Sequence, residues 1–129
     1  MATIKKEITT LTKPDAVWER IRDIGALHTR LVPGFVVDTR LDGDARWVTF
    51  ANGMVVKEPI VTIDEAERRL VWSAESPNLK HYNSSIQVFP AENGSRLVWL
   101  SDLLPNEAAA QVGAMMDQGM QAMQTALGR

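Results

Sequence analysis

From Phe35 to Leu104 the chain is a series of short runs rich in Val, Ile, Phe and Trp, cut by turn-forming residues, and only one long helical pattern follows. This arrangement constrains the fold more than any other feature. The runs predict strands at 35–41, 45–51, 54–64, 69–76, 80–89 and 96–104. The separators are Asp42-Gly43-Asp44, Asn52-Gly53, Glu65–Arg68, Pro77-Asn78 and Glu92-Asn93-Gly94-Ser95. Asn-Gly is a strong hairpin signal, and connections this short make neighbouring strands antiparallel. Such a sheet must bury one face, and only the helix opened by Pro105 is long enough to cover it. At about 100° per residue, Val112, Met116, Gly119, Met120, Met123 and Leu127 fall on one side of that helix. Met115 and Ala126 flank this stripe, Ala109 extends it, and Asp117, Gln118, Gln121, Gln124 and Thr125 lie opposite. Four of the six methionines sit in this one segment. Methionine is unbranched and polarisable, so the stripe suits either an irregular core or the wall of a cavity with variable contents.

Ahead of the strand-rich region, residues 3–10 alternate, with Ile4 and Ile8 on one face, and predict a further strand. Thr12-Lys13-Pro14-Asp15 marks a helix start, with Thr12 as cap, and the helix runs to about Ile24 before Gly25. A second short helix, about Ala26–Leu31, ends before Pro33-Gly34. The order predicts an α+β domain spanning 1–129: a curved seven-stranded antiparallel sheet around a long C-terminal helix, with two short helices after the first strand. A curved sheet gripping a single helix leaves space between the two layers.

The composition narrows the function classes. The net charge is −2 and no basic run occurs, so the footprint of a nucleic-acid binder is missing. The absence of cysteine excludes disulfides, thiol catalysis and cysteine metal sites, and suits a reducing cytoplasm. The charged, alternating start MATIKKEITT does not read as a signal peptide. No apolar run approaches the roughly 18 residues of a membrane span, so stable membrane insertion is not expected. His28 and His81 have no ligand-type neighbours at metal spacing, and no phosphate loop, dinucleotide fingerprint or Gly-x-Ser-x-Gly appears. Neither a metal nor a cofactor is expected.

Three segments carry a resemblance: KPDAVWERIRDIGAL at 13–27, GDARWVTFANGMVVKEPIVTIDEAERRLVW at 43–72 and HYNSSIQVFPAENGSRLVW at 81–99. In this order, followed by the terminal helix, they are similar to the Bet v 1-like, START-like (SRPBCC) superfamily and to its bacterial polyketide cyclase/dehydrase-type branch. The resemblance covers nearly the whole chain and implies the helix-grip fold. It implies inward-facing roles for Glu58, Trp72, Tyr82 and Ser84, and it places Asn52-Gly53-Met54 where ligand-binding relatives carry an entrance loop. It does not select a function, because one fold hosts many.

The residues themselves indicate a site. On 81–89, Tyr82, Ser84, Ile86 and Val88 share the more apolar face, which brings two hydroxyls toward the interior. Glu58 is a lone acid among the apolar residues of Val55–Ile63 and alternates with Val56 and Ile60. Buried, it needs a partner, and Arg46 and Arg30 are the candidates. Phe50 and Val48 face inward from the preceding strand, and Trp72 does so with Leu70 and Ala74, whereas the faces of Trp47 and Trp99 stay open. The expected ligand-binding set is Phe50, Glu58, Trp72, Tyr82, Ser84, Met116, Met120 and Met123. No catalytic residue is assigned, because no two titratable groups are evidently set apart in one pocket.

The leading expectation is binding of a small hydrophobic or amphipathic ligand between sheet and helix by a monomer or homodimer. One alternative is an enzyme of the cyclase, aromatase or dehydratase type, a lyase or isomerase, working in the same cavity. Another is a protein-interaction module like the chaperone-ATPase activators of the superfamily, which predicts a filled interior.

Overall fold

The structure is a computed structural model and describes residues 1–128. Strand β1 (Ala2–Thr10) leads into α1 (Pro14–Arg22), a 3-10 turn at Ile24–Ala26 and a single π turn at Leu27–Leu31. Six strands follow: β2 (Val36–Asp42), β3 (Ala45–Phe50), β4 (Val55–Asp64), β5 (Arg69–Ser73), β6 (His81–Ala91) and β7 (Gly94–Leu104). A 3-10 turn at Asn106–Ala108 then opens α2 (Ala109–Leu127). All seven strands join one antiparallel sheet in the order β1-β7-β6-β5-β4-β3-β2. The expected helix-grip architecture is therefore present.

The sheet curves for a local reason. Register shifts between Val36 and Asp38 and between Ile60 and Thr62 insert an extra residue into β2 and β4. Val37 and Val61 are the extra residues, and both are exposed. Such bulges bend a strand and increase its twist, which lets an antiparallel sheet wrap around a helix. The concave face and α2 enclose the core, including Val48, Leu70, Trp72, Ile86, Leu97 and Met116. From α1, Val17, Trp18 and Ile21 add to it.

Several boundaries differ from expectation. The α1 helix stops at Arg22, and the expected second helix is a 3-10 turn followed by a π turn, in which Val32 N–H donates to Leu27 O at 3.0 Å. Val32 precedes Pro33, which disfavours helical backbone at that residue and ends the segment. Thr12 does not cap α1. Its hydroxyl donates to Leu127 O at 2.7 Å, and that of Thr10 donates to Gly128 O at 2.7 Å, so both tie down the far end of α2. The last hairpin is tighter than expected, because Ala91 already pairs with Gly94. A Cβ on Gly94 would lie 2.0 Å from Thr10 O, so only glycine fits where β1 ends against β7.

Gly119 has a similar role in the middle of α2. A Cβ there would stand 2.8 Å from Trp99 Cζ3 and 3.2 Å from Phe35 Cε2. The missing side chain lets the helix lie directly on the Trp99 ring.

Candidate functional site: a cavity between sheet and helix

Between the two layers lies a cavity of about 130 Å³ that is partly open to the surface. Apolar cavities of roughly 150 Å³ accept a benzene-sized molecule. Its floor comes from successive strands: Phe50, Val56, Leu70, Trp72, Ile86 and Trp99. Its roof is Val112, Met115, Met116 and Met123 of α2. Leu31, Val32, Phe35 and Val36 close one end, and Met54, Ser76 and Leu79 reach it from the loops. Phe35 and Phe50 meet edge to face at 5.3 Å.

Six of the eight expected residues line this space: Phe50, Glu58, Trp72, Tyr82, Met116 and Met123. Ser84 and Met120 do not, and helix geometry explains the methionine. Relative to Met116, the lining residues Met123, Val112 and Met115 spread over about 100° on one side, centred near Gly119, whereas Met120 lies about 40° to the other side. It packs into the core instead. For the same reason Met115, expected only to flank the stripe, reaches the cavity.

Ser84 is set aside by chemistry. It is fully buried, its Oγ accepts the Trp99 indole N–H at 2.6 Å, and it lies 2.9 Å from Ser101 Oγ. It also donates to Leu100 O at 3.1 Å. Its hydrogen-bonding capacity is used within the wall. The tyrosine is coupled to this cluster, with Tyr82 Oη 3.1 Å from Ser101 Oγ. The serine expected in the cavity is therefore a support for two aromatic residues that line it. Burial pushes the Tyr82 phenol up from its usual value, against the Ser101 and Ser84 hydroxyls, and the nearby Glu58 carboxyl adds to the rise.

Glu58 pairs with Arg46 across β3 and β4, and strand register places the two side chains on the same inward face. Arg46 Nε donates to Glu58 Oε1 at 2.9 Å, with the side chains 3% and 10% exposed. Arg30, the other candidate, instead binds Asp23 at 2.9 Å and Glu19 at 3.4 Å. Burial pushes the Glu58 carboxyl up, and the Arg46 guanidinium pulls it partly back. Arg46 also reaches Ile24 O at 3.4 Å and stacks over Trp72 with its guanidinium carbon 5.5 Å from the ring centroid. Among the described residues, every fully buried side-chain N or O has a hydrogen-bond partner. Glu58 Oε2 has no such bond, so it keeps accessible surface, and the space that Glu58 lines is the cavity.

Trp99, whose face the sequence left open, points inward 6.2 Å from Trp72. Trp47 points outward, donates to Asp42 at 3.0 Å and lies between Arg40 and Lys57. The Asn52-Gly53-Met54 segment is a tight turn: Phe50 N–H donates to Met54 O at 2.8 Å, and Asn52 Oδ1 accepts from Met54 N–H at 3.0 Å. Among the described residues, no group of three or more His, Asp or Glu is placed to hold a metal ion, and no helix is long and apolar enough to cross a membrane.

A bent antiparallel sheet gripping one helix over an apolar hollow defines a helix-grip protein of the START and Bet v 1 type. The chain belongs to the polyketide cyclase/dehydrase and lipid transport family, whose sequence model matches residues 1–128. Solved structures share the fold. The protein XoxI from Bacillus cereus is similar with a TM-score of 0.87 at 22% identity, covering 98% of this chain and 96% of that one. Ara h 8.0201 gives 0.75 at 18% identity, covering 98% and 97%. A START superfamily protein from Mycobacterium smegmatis gives 0.73 at 11% identity, covering 97% and 93%. No curated protein matches the sequence.

Proposed function

We propose that the protein binds a small, largely apolar molecule in the cavity between the sheet and α2, with Glu58 and Tyr82 orienting its polar end. The observation that carries this reading is the Glu58 Oε2, left without a hydrogen bond beside a largely apolar wall. An apolar core gains nothing from a half-satisfied carboxyl, whereas a ligand group gains an anchor. Affinity comes from apolar burial, about 25 cal/mol per Å² removed from water, and the methionine roof adapts to related shapes. A hollow interior supports this reading over an interaction module with a solid core. In the same reading the protein works in the cytoplasm as a monomer or homodimer, without nucleic acid. Cyclase or dehydratase chemistry is the second reading, supported by the family and by the raised proton affinity of the buried Glu58 carboxyl.

The test is an NMR titration with one-ring aromatic probes. The wild type is expected to show saturable shifts at cavity residues. Ala74→Phe, which adds a ring to the cavity wall, is expected to remove them while keeping a folded spectrum. Binding unaffected by that substitution would place the site elsewhere.

A further inference from the structure

Beside the cavity, four polar groups form one connected set: the Trp99 indole N–H and the hydroxyls of Ser84, Ser101 and Tyr82. The set ends on a backbone carbonyl, Leu100 O. The direction of each bond follows from counting protons. A hydroxyl has one hydrogen to give, an indole N–H only donates, and a carbonyl only accepts.

Three contacts involve hydroxyl protons: Ser84 to Leu100 O at 3.1 Å, Ser84 to Ser101 at 2.9 Å and Tyr82 to Ser101 at 3.1 Å. Three hydroxyls supply three protons. The Leu100 contact takes the Ser84 proton. Ser101 must then donate to Ser84, whose other lone pair already receives the Trp99 N–H. Tyr82 must donate to Ser101. This is the one assignment in which all three contacts are hydrogen bonds.

Tyr82 therefore spends its proton in the wall, and its hydroxyl has only a lone pair left to offer the cavity that the residue lines. From this we infer that the ligand's polar group at Tyr82 is a hydrogen-bond donor, namely a hydroxyl on an apolar skeleton, and that ethers, ketones and carboxylates of the same shape are discriminated against there. The inference rests on the cavity being a binding site. It also separates Tyr82 from proton donation to a substrate, since a phenol that gives its proton to Ser101 is not aimed at one. Burial and the nearby Glu58 carboxyl keep the phenol protonated, so the count holds near neutral pH.

The test uses three probes that share a 4-ethylphenyl skeleton: 4-ethylphenol, 4-ethylanisole and 4-ethylbenzoate, titrated into the protein at pH 7 by NMR. The phenol is expected to bind about five- to tenfold more tightly than the methyl ether, the span of one neutral hydrogen bond, and more tightly than the carboxylate. Two variants probe the cause. Tyr82→Phe keeps the ring and is expected to bring the phenol-to-ether ratio below about twofold. Ser101→Ala removes the acceptor of the Tyr82 proton and frees it for the cavity, so the ratio is expected to shift at least about threefold toward the ether. Equal binding of phenol and ether by the wild type, or a ratio unmoved by Ser101→Ala, would overturn the inference while leaving the binding site intact. No binding of any probe would instead overturn the ligand-binding reading on which it rests.

Discussion

Alanine in place of Gly119 sets two physical effects against each other. In a helix interior, glycine is less favourable than alanine by about 1 kcal/mol, so propensity alone predicts that Gly119→Ala stabilises the protein. The structure predicts the reverse. The new Cβ would stand 2.8 Å from Trp99 Cζ3 and 3.1 Å from its Cη2. Carbon atoms rest at about 3.5–4.0 Å, so the ring must retreat by nearly an ångström. It is held in place: its N–H is bound to Ser84 at 2.6 Å and its ring packs beside Trp72 with centroids 6.2 Å apart. Overpacking of this kind costs about 1–3 kcal/mol, which cancels or outweighs the helix gain and leaves a net loss of up to about 2 kcal/mol. At this chain length that lowers Tm by up to roughly 8 °C. Gly113 in the same helix is the internal control, because its added Cβ would meet Ile4 at 3.8 Å, an ordinary contact. Gly113→Ala is expected to stabilise by up to about 1 kcal/mol. Thermal and urea unfolding of the two variants read the contrast directly. A Tm for Gly119→Ala clearly above that of the wild type would refute the close approach of α2 to Trp99.

Arg46→Met leaves the Glu58 carboxyl buried without its cation and is expected to cost about 3–5 kcal/mol near neutral pH, while the double variant Arg46→Met, Glu58→Met recovers most of that loss in urea unfolding. Equal destabilisation by single and double variants would mean that the pair is not coupled. The pH dependence has a definite sign. The folded Glu58 carboxyl holds its proton above the value of 4.5 that it has when unfolded, so its stabilising contribution is complete below that pH and is lost as pH rises through the higher folded value. The Tm of the wild type relative to Glu58→Gln is therefore expected to fall as pH rises from about 4.5 toward neutrality. A relative Tm that climbs instead would show that Arg46 outweighs burial.

The legible and illegible parts of the sequence divide on physical grounds. Glu58 was readable because β4 alternates, so a lone acid between Val56 and Ile60 had to share their inward face. Which arginine met it was not readable, since that depends on the register of the β3–β4 hairpin, and both candidates carry the same charge. The position of Trp99 was hidden because Leu97, Val98, Trp99 and Leu100 are apolar on both faces of β7, which erases the period-two signal. With Trp99 unplaced, the role of Ser84 as its acceptor was also invisible, and Ser84 read as a cavity hydroxyl. Thr12 looked like a cap for the helix beside it, yet its partner is Leu127, far away in sequence. Helical spacing puts Met116, Met120 and Met123 on the buried side of α2, but the choice between Met115 and Met120 at the cavity turns on a small rotation of the helix that the spacing does not fix.

The pairing of β1 with β7 has a consequence for how the chain is made. Ala2 lies opposite Leu103 and Thr10 opposite Ser95, so β1 is translated about 90 residues ahead of its partner β7. At about 5–20 residues per second, β1 leaves the ribosome roughly 5–20 s before its partner exists. During that interval Ile4 and Ile8 have no sheet to join, and every backbone donor and acceptor of the strand is open to other chains. Even in the finished sheet, β1 stays at the edge. Lys5 and Lys6 sit at its centre, between the two isoleucines, where charge discourages edge-to-edge association of strands. Lys6 is half-buried and pairs with Asp117 at 2.9 Å in the folded protein, so there the exposed Lys5 carries this protection, whereas in the nascent chain both charges are free to act.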